Sequence, residues 1–179
     1  MRASYSPHTL HLRVPLARPC RRSSYETNHW LLPSSGADSP WANFVLARTA
    51  TANYTVANYD AFFADIGYGV GTIAHERVRN LLPRPSEGPG VPVLCIYSTG
   101  VATPLSFDYG DDGWAKTPVA TMGDGDGTVN VRSLRVCEQW NTTQTQPVRV
   151  LTVQNVTHSG MLKDERVIQA LLTATRGVE

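Results

Sequence analysis

The chain has 179 residues and a mass of 19.6 kDa, room for one domain with a true core and too little for two large ones. With 41% hydrophobic and 17% charged residues and a net charge of +1, it has a globular composition. That excludes a disordered tail, collagen, a coiled coil, a small disulfide knot and a dedicated nucleic-acid binder, and no apolar run approaches the roughly 20 residues of a membrane span.

The near-neutral balance hides an asymmetric start. Residues 1–22 carry Arg2, Arg13, Arg18, Arg21 and Arg22 and no acidic residue, which leaves the rest of the chain net acidic. The stretch from Leu10 to Leu16 is broken by His11 and Arg13, so it falls short of a secretory h-region of about 7–15 apolar residues. Residues 1–22 are therefore read as a poorly ordered leader or as sequence foreign to the fold.

Residues 23–50 are rich in turns around Pro33-Ser34-Ser35-Gly36, with a short strand predicted at Phe44–Ala47. Tyr59, Phe62, Phe63 and Ile66 recur at helical spacing and predict a helix over 58–66, capped by Asn58. A second helix is predicted over Thr72–Leu82, with Ile73, Val78, Leu81 and Leu82 on its apolar side and a Pro- and Gly-rich stop at 83–90. Val91–Tyr97 is nearly continuous apolar sequence, the pattern of a strand buried on both faces of a parallel sheet. A long loop is expected from Ser98 to Asp126 and a short helix within Thr128–Trp140. Val148–Val153 reads as a second core strand, His158 falls in the loop after it, and a terminal helix spans Asp164–Thr175. This is α/β order, and it puts Asp126 and His158 at the same edge of a parallel sheet, where catalytic groups of such sheets collect.

The densest motif is Gly123-Asp-Gly-Asp-Gly-Thr128. A calcium loop of the EF-hand type fails, because the positions that need Gly and Glu hold Val129 and Arg135. Two readings remain open: a pair of Asp-Gly turns, or a buried carboxylate that orients a catalytic imidazole. The order Asp126 then His158, with one strand between their loops, suits the last two members of a Ser-Asp-His triad. No G-x-S-x-G elbow occurs in the sequence. Ser98 ends a strand but lacks the first glycine and a following helix, and Ser159 has neither flank. The cysteines are Cys20, Cys95 and Cys137, so at most one disulfide forms, and no zinc-ligand spacing is present. Sequons occur at Asn53, Asn141 and Asn155.

From about Ser24 onward the chain resembles the lecithin:cholesterol acyltransferase family, and within it the lysosomal phospholipase A2 branch. The resemblance is carried by Trp30-Leu-Leu-Pro33, Asn53-Tyr-Thr55, Phe62-Phe63 with Asp65-Ile-Gly67, and Thr99-Gly-Val101 with Thr103-Pro104. Its most specific parts are Gly123-Asp-Gly-Asp-Gly-Thr-Val-Asn130 and Cys137-Glu-Gln-Trp140. The resemblance implies an α/β-hydrolase core with a cap, acting on phospholipid acyl esters and passing the acyl group to water or a lipid alcohol, without a cofactor. It implies Asp126 as triad acid, His158 as triad base, a disulfide between Cys95 and Cys137, and a glycan on Asn53. It also implies a secretory, lysosomal or extracellular setting and a membrane or lipoprotein surface as the place of work. Ser98 stands where the lysosomal branch has Gly, and the nucleophile elbow of the family lies upstream of the matching region.

The expectation is therefore an α/β chain whose residues 23–179 form the C-terminal portion of an α/β-hydrolase domain, an incomplete parallel sheet with helices and part of a cap. It would supply Asp126 and His158 and be inactive alone. The alternative is a non-catalytic, lipid-binding short form. A third reading, with Ser98 as a local nucleophile, lacks an elbow to support it.

Overall fold

The computed structural model describes residues 26–81 and 84–176; the leader read at 1–22, Cys20 and the predicted helix end at Leu82 lie outside them. The described chain is mixed α/β. It begins with α1 (Glu26–Trp30), a short antiparallel pair β1 (Ala47–Arg48) and β2 (Asn53–Tyr54), and the helices α2 (Tyr59–Asp65) and α3 (Val70–Val78). There follow β3 (Val93–Thr99), β4 (Val101–Asp108) and β5 (Val119–Gly125). Then come α4 (Val131–Leu134), a 3-10 turn at Arg135–Gln139, α5 (Trp140–Thr143), β6 (Val148–Gln154) and α6 (Glu165–Arg176). Among the described residues no helix is long and apolar enough to cross a membrane.

Two sheets result. β3 and β6 pair in parallel over seven residues, from Val93 opposite Val148 to Thr99 opposite Gln154. The second sheet has the order β2-β1-β4-β5, with β1 and β4 parallel and β4 and β5 antiparallel. Successive β3 side chains point to opposite faces. Cys95 is joined to Cys137 on one side, where the Tyr97 hydroxyl also donates to Glu138, while Leu94 and Ile96 look onto α6. The strand read at 91–97 is present, shifted two residues along, but only Tyr97–Thr99 are buried; Val93–Ile96 are half-buried.

The long loop expected from Ser98 to Asp126 is instead the β4–β5 hairpin. Its strands escape a propensity reading because β4 contains Pro104 and β5 contains Gly123, Asp124 and Gly125. Proline cannot donate to a ladder, and the register irregularity of this pair falls between Pro104 and Ser106. Gly100 makes the sheet change possible. It is the single residue between β3 and β4, with φ of 88°, and a Cβ there would lie 2.4 Å from the Asn155 side-chain oxygen.

The core lies under α2, where Trp41, Val56, Tyr59 and Phe63 are buried together with support from Leu32, Phe44, Leu46, Phe62, Ile66, Tyr68 and Leu105. Three local expectations change here. The predicted strand at 44–47 begins only at Ala47. Asn58 precedes α2 without capping it; its Oδ1 accepts from the Thr55 N–H at 2.6 Å and its Nδ2 donates to the Asn53 carbonyl. In α3 the inward face is Gly71, His75 and Val78, while Ile73 is exposed, as is Leu81 beyond the helix end. The aromatic cage of α2 sets that rotation: His75 packs edge-on to Tyr59 at 4.9 Å, beside Phe63 and 6.4 Å from His29.

Two predictions follow from this packing. Burial, then the nearby His29 and Arg79, hold the His75 imidazole below its ordinary pKa, against the opposing pull of Glu76 and Asp60, and its Nδ1 is buried without a partner. The folded state keeps His75 neutral, whereas the unfolded chain takes up a proton below about pH 6.5, so this contribution to stability is present above that value and lost as pH falls toward the lowered one. His75→Phe should reduce the drop in Tm between about pH 7.5 and about pH 5; an unchanged drop would clear His75 of the acid sensitivity. The Cys95–Cys137 bridge closes a 42-residue separation, for which loop-closure entropy gives about 4 kcal/mol. The double Cys→Ser variant should lose roughly 2–4 kcal/mol in urea denaturation.

Candidate active site

The Gly-Asp motif lies where the chain doubles back after β5. Asp126 N–H donates to the Val129 carbonyl, and Asp126 Oδ1 accepts from the Thr128 and Val129 N–H groups at 2.9 and 2.7 Å. Gly125 allows the turn to close: a Cβ there would lie 2.3 Å from the Val129 carbonyl oxygen and 2.6 Å from Thr103 Oγ1. Asn130 then caps α4, its Oδ1 accepting from the Arg132 N–H. The two readings of the motif are compatible, since one carboxylate oxygen closes the turn and the other remains for a partner.

That partner is His158. Its Nδ1 lies 2.8 Å from Asp126 Oδ2, and its backbone N–H donates to the Asp126 carbonyl at 2.8 Å. The Asp126 side chain is 5% exposed and that of His158 56%. An ionised carboxylate can only accept, so the ring nitrogen facing it carries the proton and donates. In the neutral imidazole Nε2 then bears the lone pair, and it has no hydrogen-bond partner among the described residues. Burial pushes the Asp126 pKa up, but the N–H groups of Val129 and Thr128 and the imidazole of His158 outweigh it and hold the carboxyl below its ordinary value. Chemically, such an arrangement suits an oriented base, since the imidazole is held by a buried carboxylate while its side chain is 56% exposed.

The route to this pairing differs from the sequence expectation. Asp126 does not follow a strand of the parallel β3–β6 pair. It follows the returning strand of the hairpin and comes back beside the start of β4, where it forms a parallel bridge with Val101. His158 does follow β6, as expected. Thr103 and Asp124 fasten the acid loop to the β3–β4 junction. Thr103, fully buried, accepts from the Gly127 N–H at 2.8 Å and donates to the Val101 carbonyl at 2.8 Å. Asp124 Oδ1 accepts from the Gly100 N–H at 2.6 Å. A threonine in a strand carries no sequence signal for such a role, whereas Asp124 was visible as the other acid of the motif.

Ser98 is 1% exposed, and its hydroxyl donates to the Val156 carbonyl at 2.6 Å. It is thus engaged inside the fold and away from solvent, which removes the basis for reading it as a nucleophile. Cys95 and Cys137 form the disulfide that the resemblance implies. Asn53 is exposed at the start of β2. No group of three or more His, Cys, Asp or Glu side chains arranged to hold a metal ion occurs among the described residues.

Comparison with known proteins gives a consistent match. The family model for lecithin:cholesterol acyltransferase matches residues 72–167. Lecithin-cholesterol acyltransferase-like 1 of Arabidopsis thaliana is 36% identical over 90% of this chain and 37% of its own length. Lysosomal phospholipase A and acyltransferase of Canis lupus familiaris is 37% identical over 89% of this chain and 39% of its own length. Phosphatidylcholine-sterol acyltransferase of Mus musculus is 35% identical over 80% of this chain and 32% of its own length. The chain thus spans less than two-fifths of the length of these relatives.

Thr103→Val tests how the acid loop is held. It keeps the side-chain shape but leaves the Gly127 N–H without an acceptor, a loss of about 1–3 kcal/mol. Urea denaturation should register that loss in Thr103→Val and much less of it in Thr103→Ser; equal losses would assign the effect to packing.

Proposed function

The chain belongs to the lecithin:cholesterol acyltransferase family, and from that premise we propose that it provides the acid–base half of a lipid acyl-ester hydrolase and O-acyltransferase. The observation that carries this reading is the 2.8 Å contact between a buried carboxylate and Nδ1 of an imidazole that is itself exposed. In this reaction a serine hydroxyl attacks the acyl carbonyl of a phospholipid while His158 Nε2 takes its proton. The same nitrogen returns the proton to the departing lysolipid oxygen, and Asp126 stabilises the imidazolium in between. In the second half, water or a lipid alcohol gives its proton to Nε2 and attacks the acyl-serine, regenerating the hydroxyl. Asp126, held below the usual carboxylate range, stays ionised in an acidic compartment.

Residues 23–179 serve in this reading as the C-terminal portion of an α/β-hydrolase domain with part of its cap. The serine and the oxyanion donors come from sequence beyond the described residues, and the 179-residue chain alone turns over no ester. The substrate is a phospholipid acyl chain presented at a membrane or lipoprotein surface. The Cys95–Cys137 disulfide and an exposed Asn53 acceptor for a glycan support a secretory, lysosomal or extracellular setting, as does the word lysosomal in the name of one set of relatives.

One observation favours a second reading. Leu94, Ile96, Met161, Leu162, Ile168 and Leu171 line an open apolar groove between β3 and α6, a surface that a non-catalytic lipid binder could use. The two readings separate on the native protein. Intact mass after glycan removal should exceed 19.6 kDa, and a serine-reactive phosphonate should label that species. In it, His158→Ala and Asp126→Asn should each lower release of fatty acid from phosphatidylcholine vesicles by a factor on the order of 10⁴. A native species of the short mass that resists the phosphonate yet binds vesicles would support the lipid binder, and unchanged turnover in His158→Ala would overturn the catalytic assignment.

A further inference from the structure

We infer that Ser98 is the positioning residue for His158, acting through the backbone of Val156. This rests on the acid–imidazole pairing described above and goes beyond it, because Ser98 touches neither partner's side chain in the hydrogen-bond pattern.

The argument begins at the end of the β3–β6 ladder. Regular pairing stops at Thr99 and Gln154. One further backbone bond follows, from the Asn155 N–H to the Thr99 carbonyl at 2.7 Å. Asn155 then adopts φ of 60°, a left-handed conformation rare outside glycine, and the chain turns away from β3. No ladder bond is available to Val156 beyond that turn. The Ser98 side chain supplies both: its hydroxyl donates to the Val156 carbonyl at 2.6 Å and accepts from the Val156 N–H at 3.2 Å. One buried hydroxyl thus gives a partner to both the N–H and the carbonyl of the residue two positions before His158. The next fixed point is His158 itself, whose N–H and Nδ1 both bond to Asp126. Asp126 is in turn anchored through Gly127 to Thr103, five residues beyond Ser98. The imidazole is therefore held from two sides, by Asp126 at its own residue and by Ser98 at the turn that delivers it.

A hydroxyl is the smallest group that can do this. Alanine offers neither donor nor acceptor, and glycine in addition frees the backbone. Loss of the hydroxyl leaves the Val156 amide to seek water and lets the 155–158 turn relax, which moves the imidazole out of line with Asp126 Oδ2. A hydrogen bond weakens steeply with such misalignment.

The test uses the 15N-labelled 179-residue chain and needs no turnover. Long-range 1H–15N NMR reports which nitrogen of His158 carries the proton, and amide exchange reports on Val156 and Asn155. In the unaltered chain the Nδ1–H form should dominate, and Asp126→Ala should abolish that preference. Ser98→Ala should lower the Nδ1–H fraction at least about twofold and speed Val156 N–H exchange at least about tenfold. Asn155 N–H, bonded to Thr99, should keep its protection. Ser98→Gly, which leaves less to repack, should behave as Ser98→Ala does, and Ser98→Thr should restore the Nδ1–H form. Retention of that form in both Ser98→Ala and Ser98→Gly would overturn the inference while leaving the pairing intact. Loss of Asn155 protection together with that of Val156 would also overturn it, as general fraying of the strand end. Failure of Asp126→Ala to change the tautomer would take down the pairing and the inference together.

Discussion

The site depends on a single buried carboxylate that has two structural tasks at once. Asp126 Oδ1 closes the turn 126–129 and Oδ2 holds His158. A carboxylate at 5% exposure loses most of its hydration, which would ordinarily drive it to the neutral acid. Two backbone N–H donors and the imidazole more than offset that loss, so the group stays ionised. Because both oxygens are used, the turn and the pairing are coupled. Opening the turn would cost the carboxylate its amide donors and raise its pKa, so that it would be neutralised at a higher pH and lose the charge that holds the imidazole.

That coupling explains why the chain takes a detour between β3 and the acid. A direct loop from Ser98 to Asp126 would leave the turn unanchored. The hairpin carries the chain out along β4 and back along β5, so Asp126 returns beside Val101, next to the end of β3, while β6 delivers the His158 turn to the other side of the same strand end. Thr103 reaches one loop and Ser98 the other, from positions flanking the Gly100 turn. Farther off, Trp41 Nε1 donates to Ser133 and the Arg132 guanidinium lies over the Trp41 and Phe44 rings, which ties α4 to the aromatic core. The acid loop is thereby bounded by the hairpin on its N-terminal side and by the core on its C-terminal side.

Legibility from sequence followed the strength of local physics. The strands at 91–97 and 148–153, the helices near 59–65 and 165–176, and the loop position of His158 were readable because β-branched runs and 3.6-residue spacing dominate there. The hairpin was not, because its strands carry residues chosen for tertiary reasons. Gly125 is demanded by the Val129 carbonyl and Thr103, and Pro104 sits where the ladder is irregular. The inward face of α3 was misread for a related reason: His75, polar by composition, goes inside because the α2 aromatics form its cage, while Ile73 stays out. Asp126 and His158 could be nominated from order and spacing and an Asp-Gly turn from composition, but not that one carboxylate would do both, with the turn amides keeping Asp126 ionised while buried. Ser98 and Thr103 could not be nominated as anchors at all, since a hydroxyl's partner is set by a contact distant in sequence.

The contrast in exposure between the two site residues has a physical logic of its own. An orienting acid must be dry, because water would compete for the imidazole proton, whereas a base must be reachable by whatever it deprotonates. His158 leads directly into the 3-10 turn Gly160–Lys163, whose Met161 and Leu162 line the apolar groove beside β3 and α6. In the proposed reaction the charge that forms on His158 is balanced by Asp126, whose own charge is secured by the Thr128 and Val129 amides.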